Sequence, residues 1–142
     1  MNPKRLLLAI VAVFAIVWIT DFLVHGIWLQ SDYRAMPNVW RDPASMQAHM
    51  GWLMFAQLLW AVTFVLLWAK GFAKKAGIGC GLIYGLLMGF FFQTNTLVLY
   101  AVQPLPGYLM AKWFAANIVE GMLAGVAAWL VYKNPESSQP KT

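Results

Sequence analysis

The chain has 142 residues, of which 61% are hydrophobic and only 11% charged, and its mean hydropathy is +0.64, values outside the range of soluble globular domains. The net charge of +5 does not point to nucleic acid, because the basic residues stand in small groups at the ends of apolar runs, where lipid headgroups and insertion rules account for them. Cys80 is the single cysteine, which excludes an intrachain disulfide.

A helix needs about 20 apolar residues to cross a bilayer core. The first run, Leu6 to Leu29, follows Lys4 and Arg5 in the order of a secretion signal. It stays apolar past Asp21 with no small-x-small cleavage site, so it is expected to persist as a first span. Gly51 to Ala69, Ile78 to Val102 and Ala111 to Tyr132 supply three more runs of spanning length. Backbone groups in hydrocarbon must be satisfied within their own segment, so each run is expected to be helical. The expected fold is therefore all-α: a polytopic membrane protein built as one up-down bundle of four transmembrane helices over residues 1–135. A polar tail, Glu136 to Thr142, follows Pro135.

Between the first two runs lies the longest connection, Gln30 to His49. In it Asp42 precedes Pro43, an N-cap residue before a proline suited to the first helical position. The second helix is expected to begin there and to enter the membrane near Gly51. Pro104 stops the third helix, and Leu105, Pro106 and Gly107 make a tight turn. Lys4, Arg5, Lys70, Lys74, Lys75, Lys133 and Lys141 fall on one side of this topology, Arg34, Arg41 and Lys112 on the other. That bias puts both termini in the cytoplasm. Aromatic anchors agree, with Trp28, Trp52, Tyr108 and Trp113 at the outer interface and Trp68, Phe72, Trp129 and Tyr132 at the inner one.

Each run carries polar side chains at a similar depth. At 1.5 Å per residue, Asp21 lies roughly 13 Å below Gln30, Gln57 roughly 12 Å below His49, Asn95 about 12 Å below Gln103, and Glu120 roughly 12 Å below Lys112. His25 and Asn117 sit about one turn nearer the outside. On a regular helix Asp21 and His25 share a face with Phe14, Trp18 and Trp28, and Gln57 shares one with Met46, Met50 and Leu53. Gln93 aligns with Gly89 and Tyr100, and Asn117 with Gly121 and Glu120, while Asn95 points away from Gln93. Deeper in the membrane, Gly77, Gly81, Gly85 and Gly89 repeat every four residues, as do Gly121 and Gly125. Small residues at this spacing let backbones approach. The expected bundle is closed at its cytoplasmic end and looser and more polar toward the outside.

Ionisable groups in hydrocarbon are costly and mark functional sites. No lysine or arginine lies at the depth of Asp21 and Glu120, so their charge must be met by protons, by His25 as imidazolium, or by a bound cation. The candidate ligand or cation site is Asp21, His25, Gln57, Gln93, Asn117 and Glu120. For a metal the candidates are His25, His49, Asp21 and Glu120, with Met46, Met50 and Met54 as soft thioether donors beside His49. Their spacing matches no established metal motif, and no cofactor can be named. Neither H-E-x-x-H nor G-x-S-x-G occurs, and no span contains a serine, which weighs against an enzyme. Two functions remain: an outward-facing polar pocket for a proton, cation or small polar ligand, or an accessory subunit without chemistry of its own. Expected partners are the lipid bilayer and a homo-oligomer or larger membrane complex.

The segments DFLVHGIWLQSDYRA (Asp21 to Ala35), Trp40 to Pro43 and YAVQPLPGYL (Tyr100 to Leu109) resemble parts of uncharacterised bacterial four-helix inner-membrane proteins. The resemblance covers most of the chain. It implies the fold and a bacterial inner-membrane setting, and supplies no activity and no site residue.

Overall fold

The computed structural model describes residues 2–73 and 77–132. All of its regular elements are helical: α1 (Pro3–Asp21), a π-helical stretch (Phe22–Trp28), α2 (Gln30–Arg34), α3 (Pro43–Ala48), α4 (Met50–Gly71), α5 (Ile78–Val102) and α6 (Gly107–Val131). Four helices are long and apolar enough to cross a membrane: Pro3–Trp28, Met50–Gly71, Ile78–Val102 and Gly107–Val131. The protein is thus an all-α bundle of four candidate spans. Lys74, Lys75, Lys133, Lys141 and the tail from Glu136 lie outside the described residues.

Local sequence explains most of the helix boundaries. The Asn2 side chain accepts from the Arg5 amide at 3.2 Å with proline in the first turn, a complete start for α1. Asp42 accepts from the Ser45 amide at 3.0 Å and starts α3 in the same way. That helix does not run on into the second span as the sequence suggests. The backbone leaves the helical region at His49 (φ −100°, ψ 2°), and α4 starts afresh at Met50. Gly77, at φ +95°, opens α5 in a conformation that side-chain-bearing residues avoid. The fourth span begins at Gly107, directly after Pro106 and four residues before Ala111.

Polar contacts between chain ends fix the up-down order. The Asn2 amide donates to the Tyr132 hydroxyl at 3.2 Å, and Trp68 Nε1 donates to the Tyr132 carbonyl at 2.9 Å. The start of α1 and the ends of α4 and α6 therefore meet at one end, called here the terminal end. Trp68 and Tyr132 are buried there instead of standing as interface anchors. At the opposite, loop end, Leu29, Leu105 and Leu109 form a small buried cluster under Tyr33, Trp40 and Trp113.

The closest packing is between α5 and α6, with α1 laid against both α6 and α4. Glycines make this possible. A Cβ on Gly81 would lie 2.7 Å from the Gly125 carbonyl oxygen, and one on Gly121 2.6 Å from the Gly85 oxygen, so the two backbones are in direct contact. Helices α4 and α5 meet through large side chains instead. Phe64 and Trp68 of α4 and Phe72 just beyond its end surround Tyr84 of α5, with ring centroids 4.7–5.4 Å apart, and the Tyr84 hydroxyl donates to the Phe64 carbonyl at 2.5 Å. This core fills the terminal half of the bundle. Toward the loop end α4 stands free: every residue from Gly51 to Leu59 is exposed except Gln57.

The glycine seam predicts an asymmetric response to added side chains. Gly121→Val should destabilise the bundle by at least about 1–3 kcal/mol, since backbone on the facing helix has nowhere to move. Gly79→Ala, with nothing within 4 Å of the new methyl, should be neutral or stabilising by about 0.5–1 kcal/mol. Unfolding of purified protein in mixed micelles measures both, and equal effects of the two substitutions would contradict the seam.

Candidate functional site

Between the terminal-half core and the loop end lies a cavity of about 330 Å³. Asp21 and His25 face it from the first span, Gln57 from α4, and Asn117 and Glu120 from α6. Three separate helices thus bring five of the sequence candidates together. Val17, Trp60 and Phe92 add apolar wall, and Asn95 and Thr96 add polar wall from α5. Ala56 and Asn95 line the cavity and are also exposed, which places its mouth along the seam between α4 and α5.

Gln93 is not part of the lining. It is buried to 1% exposure, and neither end of its amide finds a hydrogen-bond partner among the described residues. It lies four residues beyond Gly89, on the stripe that faces α6, so its alignment with the glycines carries it into the helix seam. Asn95, which points away from Gln93, is the α5 amide that reaches the cavity.

Asp21 is the hub of the hydrogen bonding. The Gln57 side-chain N–H donates to Asp21 Oδ2, and His25 Nε2 stands 3.6 Å from Asp21 Oδ1. On the other side of the ring, His25 Nδ1 is hydrogen-bonded to the Tyr33 hydroxyl, which also accepts from Trp113 Nε1 at 2.8 Å. With Trp113 as one donor, the Tyr33 oxygen keeps a second lone pair, so the proton of its contact with His25 sits on the hydroxyl or on Nδ1 according to the imidazole tautomer. Tyr33 keeps its own proton throughout the physiological range: burial first, and then the charges of Asp21 and Asp32, push its hydroxyl up to about 12 against the opposing Trp113 hydrogen bond.

The π-helical stretch begins at the residue after Asp21. Its wider turns are visible in the Leu29 amide, which donates to Val24, five residues back, at 2.8 Å. Such stretches are rare and concentrate at functional sites. Here the changed winding ends the regular register on which Trp28 would share the face of Asp21. Trp28 instead packs under Lys112, whose ammonium is 5.7 Å from its ring centre and pairs with Asp32 at 2.8 Å.

Glu120 is held separately. It is hydrogen-bonded to the Thr20 hydroxyl, whose oxygen also lies 2.9 Å from the Ile16 carbonyl. Thr20, Tyr33 and Trp113 were missing from the sequence candidates for the site. Thr20 adjoins Asp21 in sequence, which was an available signal, whereas Tyr33 reaches His25 only because α2 folds back over the bundle end.

His49 stands apart from the cavity at the break between α3 and α4, with Nδ1 2.7 Å from the Ser45 carbonyl. It does not line the cavity with His25, Asp21 and Glu120, and among the described residues no three histidine, cysteine, aspartate or glutamate side chains are grouped to hold a metal. Met46, Met50 and Met54 are exposed. The cavity lining combines the carboxylates of Asp21 and Glu120, the His25 ring, the amides of Gln57, Asn95 and Asn117 and the Thr96 hydroxyl with the aromatic side chains of Trp60 and Phe92. Gln57 is 7% exposed, and its Oε1 has no partner among the described residues.

No family model, curated protein or solved structure matches this chain.

Tyr33→Phe should leave two half-buried nitrogens, Trp113 Nε1 and His25 Nδ1, without their shared partner and cost about 0.5–1.5 kcal/mol. The imidazole should also lose its contact at Nδ1. Nitrogen-15 chemical shifts of His25 check this, and identical shifts in wild type and variant would refute the chain of hydrogen bonds.

Proposed function

We propose that the protein is an integral membrane protein whose intramembrane cavity binds a proton, a cation or a small polar ligand, in the manner of a transporter or sensor. One observation carries this reading: two carboxylates and a histidine from the first span and α6 line one cavity together with the amide residues Gln57, Asn95 and Asn117. Packing alone would be served by polar groups that satisfy one another. Helix-to-helix hydrogen bonds in membranes contribute only about 0.6 kcal/mol on average, a small return for keeping two acids at that depth. Charged side chains there cost at least about 2.5–3.5 kcal/mol each at the bilayer centre. The balance favours a bound positive charge.

We place the protein in a bacterial inner membrane with both termini in the cytoplasm, as the basic residues and the resemblance suggest. Lys4, Arg5 and Lys70 flank the terminal end, while Lys112 at the loop end is engaged with Asp32. The cavity then lies in the outward half of the bundle.

The test is the doubly substituted Asp21→Asn, Glu120→Gln protein, in which both carboxyls become uncharged amides of the same shape. Helix content and oligomeric state should match wild type. The dependence of the unfolding midpoint on pH, measured in micelles, should be smaller than in wild type. Loss of the assembled bundle would indicate that the acids serve packing, and an unchanged pH dependence would remove the cavity from consideration as a site of charge binding.

A further inference from the structure

The Thr20 hydroxyl is in contact with three oxygens at once. Its Oγ1 lies 2.9 Å from the Ile16 carbonyl and 3.1 Å from the Val17 carbonyl of its own helix, and it is hydrogen-bonded to Glu120 Oε2 of α6. A hydroxyl has one proton to give and two lone pairs that accept. Carbonyls and an ionised carboxylate have no proton to give back. With Glu120 ionised, the single Thr20 proton serves either its own helix or the carboxylate, and bare oxygen faces bare oxygen on the other side. With Glu120 protonated, both sides are bonded. The acid O–H then donates to Thr20 Oγ1, and Thr20 donates to the Ile16 carbonyl, four residues back, as helical threonines do.

Asp21, the next residue, is surrounded differently. The Gln57 N–H donates to its Oδ2, and His25 Nε2 stands 3.6 Å from its Oδ1. It meets nitrogen where Glu120 meets a hydroxyl already drawn to the backbone. Asp21 and His25, both on the first span, are the other titratable groups of the cavity lining. From α4 come Ala56, Gln57 and Trp60, from α5 Gly89, Phe92, Asn95 and Thr96, and from α6 Asn117, none of which titrates. Two carboxyls in one low-dielectric space divide into an acid and an anion when their surroundings differ in this way.

Resting on the cavity reading above, we propose that the ligand is a proton and that Glu120 carries it, as a neutral carboxylic acid donating to Thr20 beside an ionised Asp21. Glu120 lines the cavity, so its proton can pass to a base that enters there, water in the simplest case. When the proton leaves, the Thr20 O–H turns from Ile16 to the new carboxylate. Thr20 is a positioning residue, and a hydroxyl suits the place because it accepts from the acid and donates to the anion.

Infrared spectra of the full chain in detergent micelles test this. At neutral pH wild type should show the carbonyl stretch of a protonated carboxylic acid, shifted on exchange into heavy water and lost reversibly at high pH. Glu120→Gln should abolish the band and Asp21→Asn should keep it. Thr20→Val, which keeps the shape and removes the hydroxyl, should move the band to higher frequency, and Thr20→Ser should return it to the wild-type position. The threonine variants carry the test should Glu120→Gln fail to assemble. A spectrum without the acid band at neutral pH, a band that follows Asp21 instead of Glu120, or a band indifferent to Thr20→Val would overturn the inference. If the band is missing while the wild-type unfolding midpoint still depends on pH more strongly than that of the double amide variant, the cavity reading stands with both carboxylates ionised. If that difference is missing as well, both fall.

Discussion

The contact between the α5 and α6 backbones sets the geometry of everything else. In a bilayer there is no hydrophobic gain in bringing two helices together, because lipid tails are as apolar as leucine, and close packing must supply the attraction. Gly81, Gly85, Gly121 and Gly125 supply it by bringing the two backbones into direct contact at these positions. The consequence falls on α4, which is laid against α1 and meets α5 across a gap that side chains must bridge. In the terminal half Phe64, Trp68 and Tyr84 are large enough and the gap is solid. In the loop half Ala56 and Gln57 are not, and the gap becomes the cavity.

Asp21 then acquires two roles that oppose each other. As the acceptor from Gln57 it ties the otherwise exposed half of α4 to the first span, since Gln57 is the one residue of that half to be buried. As a carboxylate beside His25 it is also the charge the site offers. On the binding reading proposed above, a guest or proton that engages Asp21 would compete with Gln57 for its oxygens, and would so link the site to the position of α4.

The four spans were legible because each is a long apolar run, and length alone decides whether a helix can cross. The shared depth of Asp21, Gln57, Asn95 and Glu120 was legible too, because rise per residue is the same in every helix. Azimuth was harder. Gln93 and Asn95 are two residues apart, and the glycine stripe that made Gln93 look inward is the stripe that α6 covers. The π-helical winding after Asp21 has no proline or other breaker to announce it. Tyr33 and Trp113 are far apart in sequence and meet at His25 only through the fold of the connection between spans.

That connection also explains why the looser half of the bundle can be polar without falling open. Leu29, Leu105 and Leu109 are buried above the first span and α6, and Tyr33, Trp40 and Trp113 pack edge to face over them. The loop end is therefore capped on the α1–α6 side and uncapped along α4, where Met50, Leu53 and Met54 are exposed. Thr20 and Glu120, His25 and Tyr33 all lie on the capped side, and Gln57 alone reaches them from the other. The capped side thus holds the ionisable groups, and Gln57 ties the exposed stretch of α4 to them through Asp21.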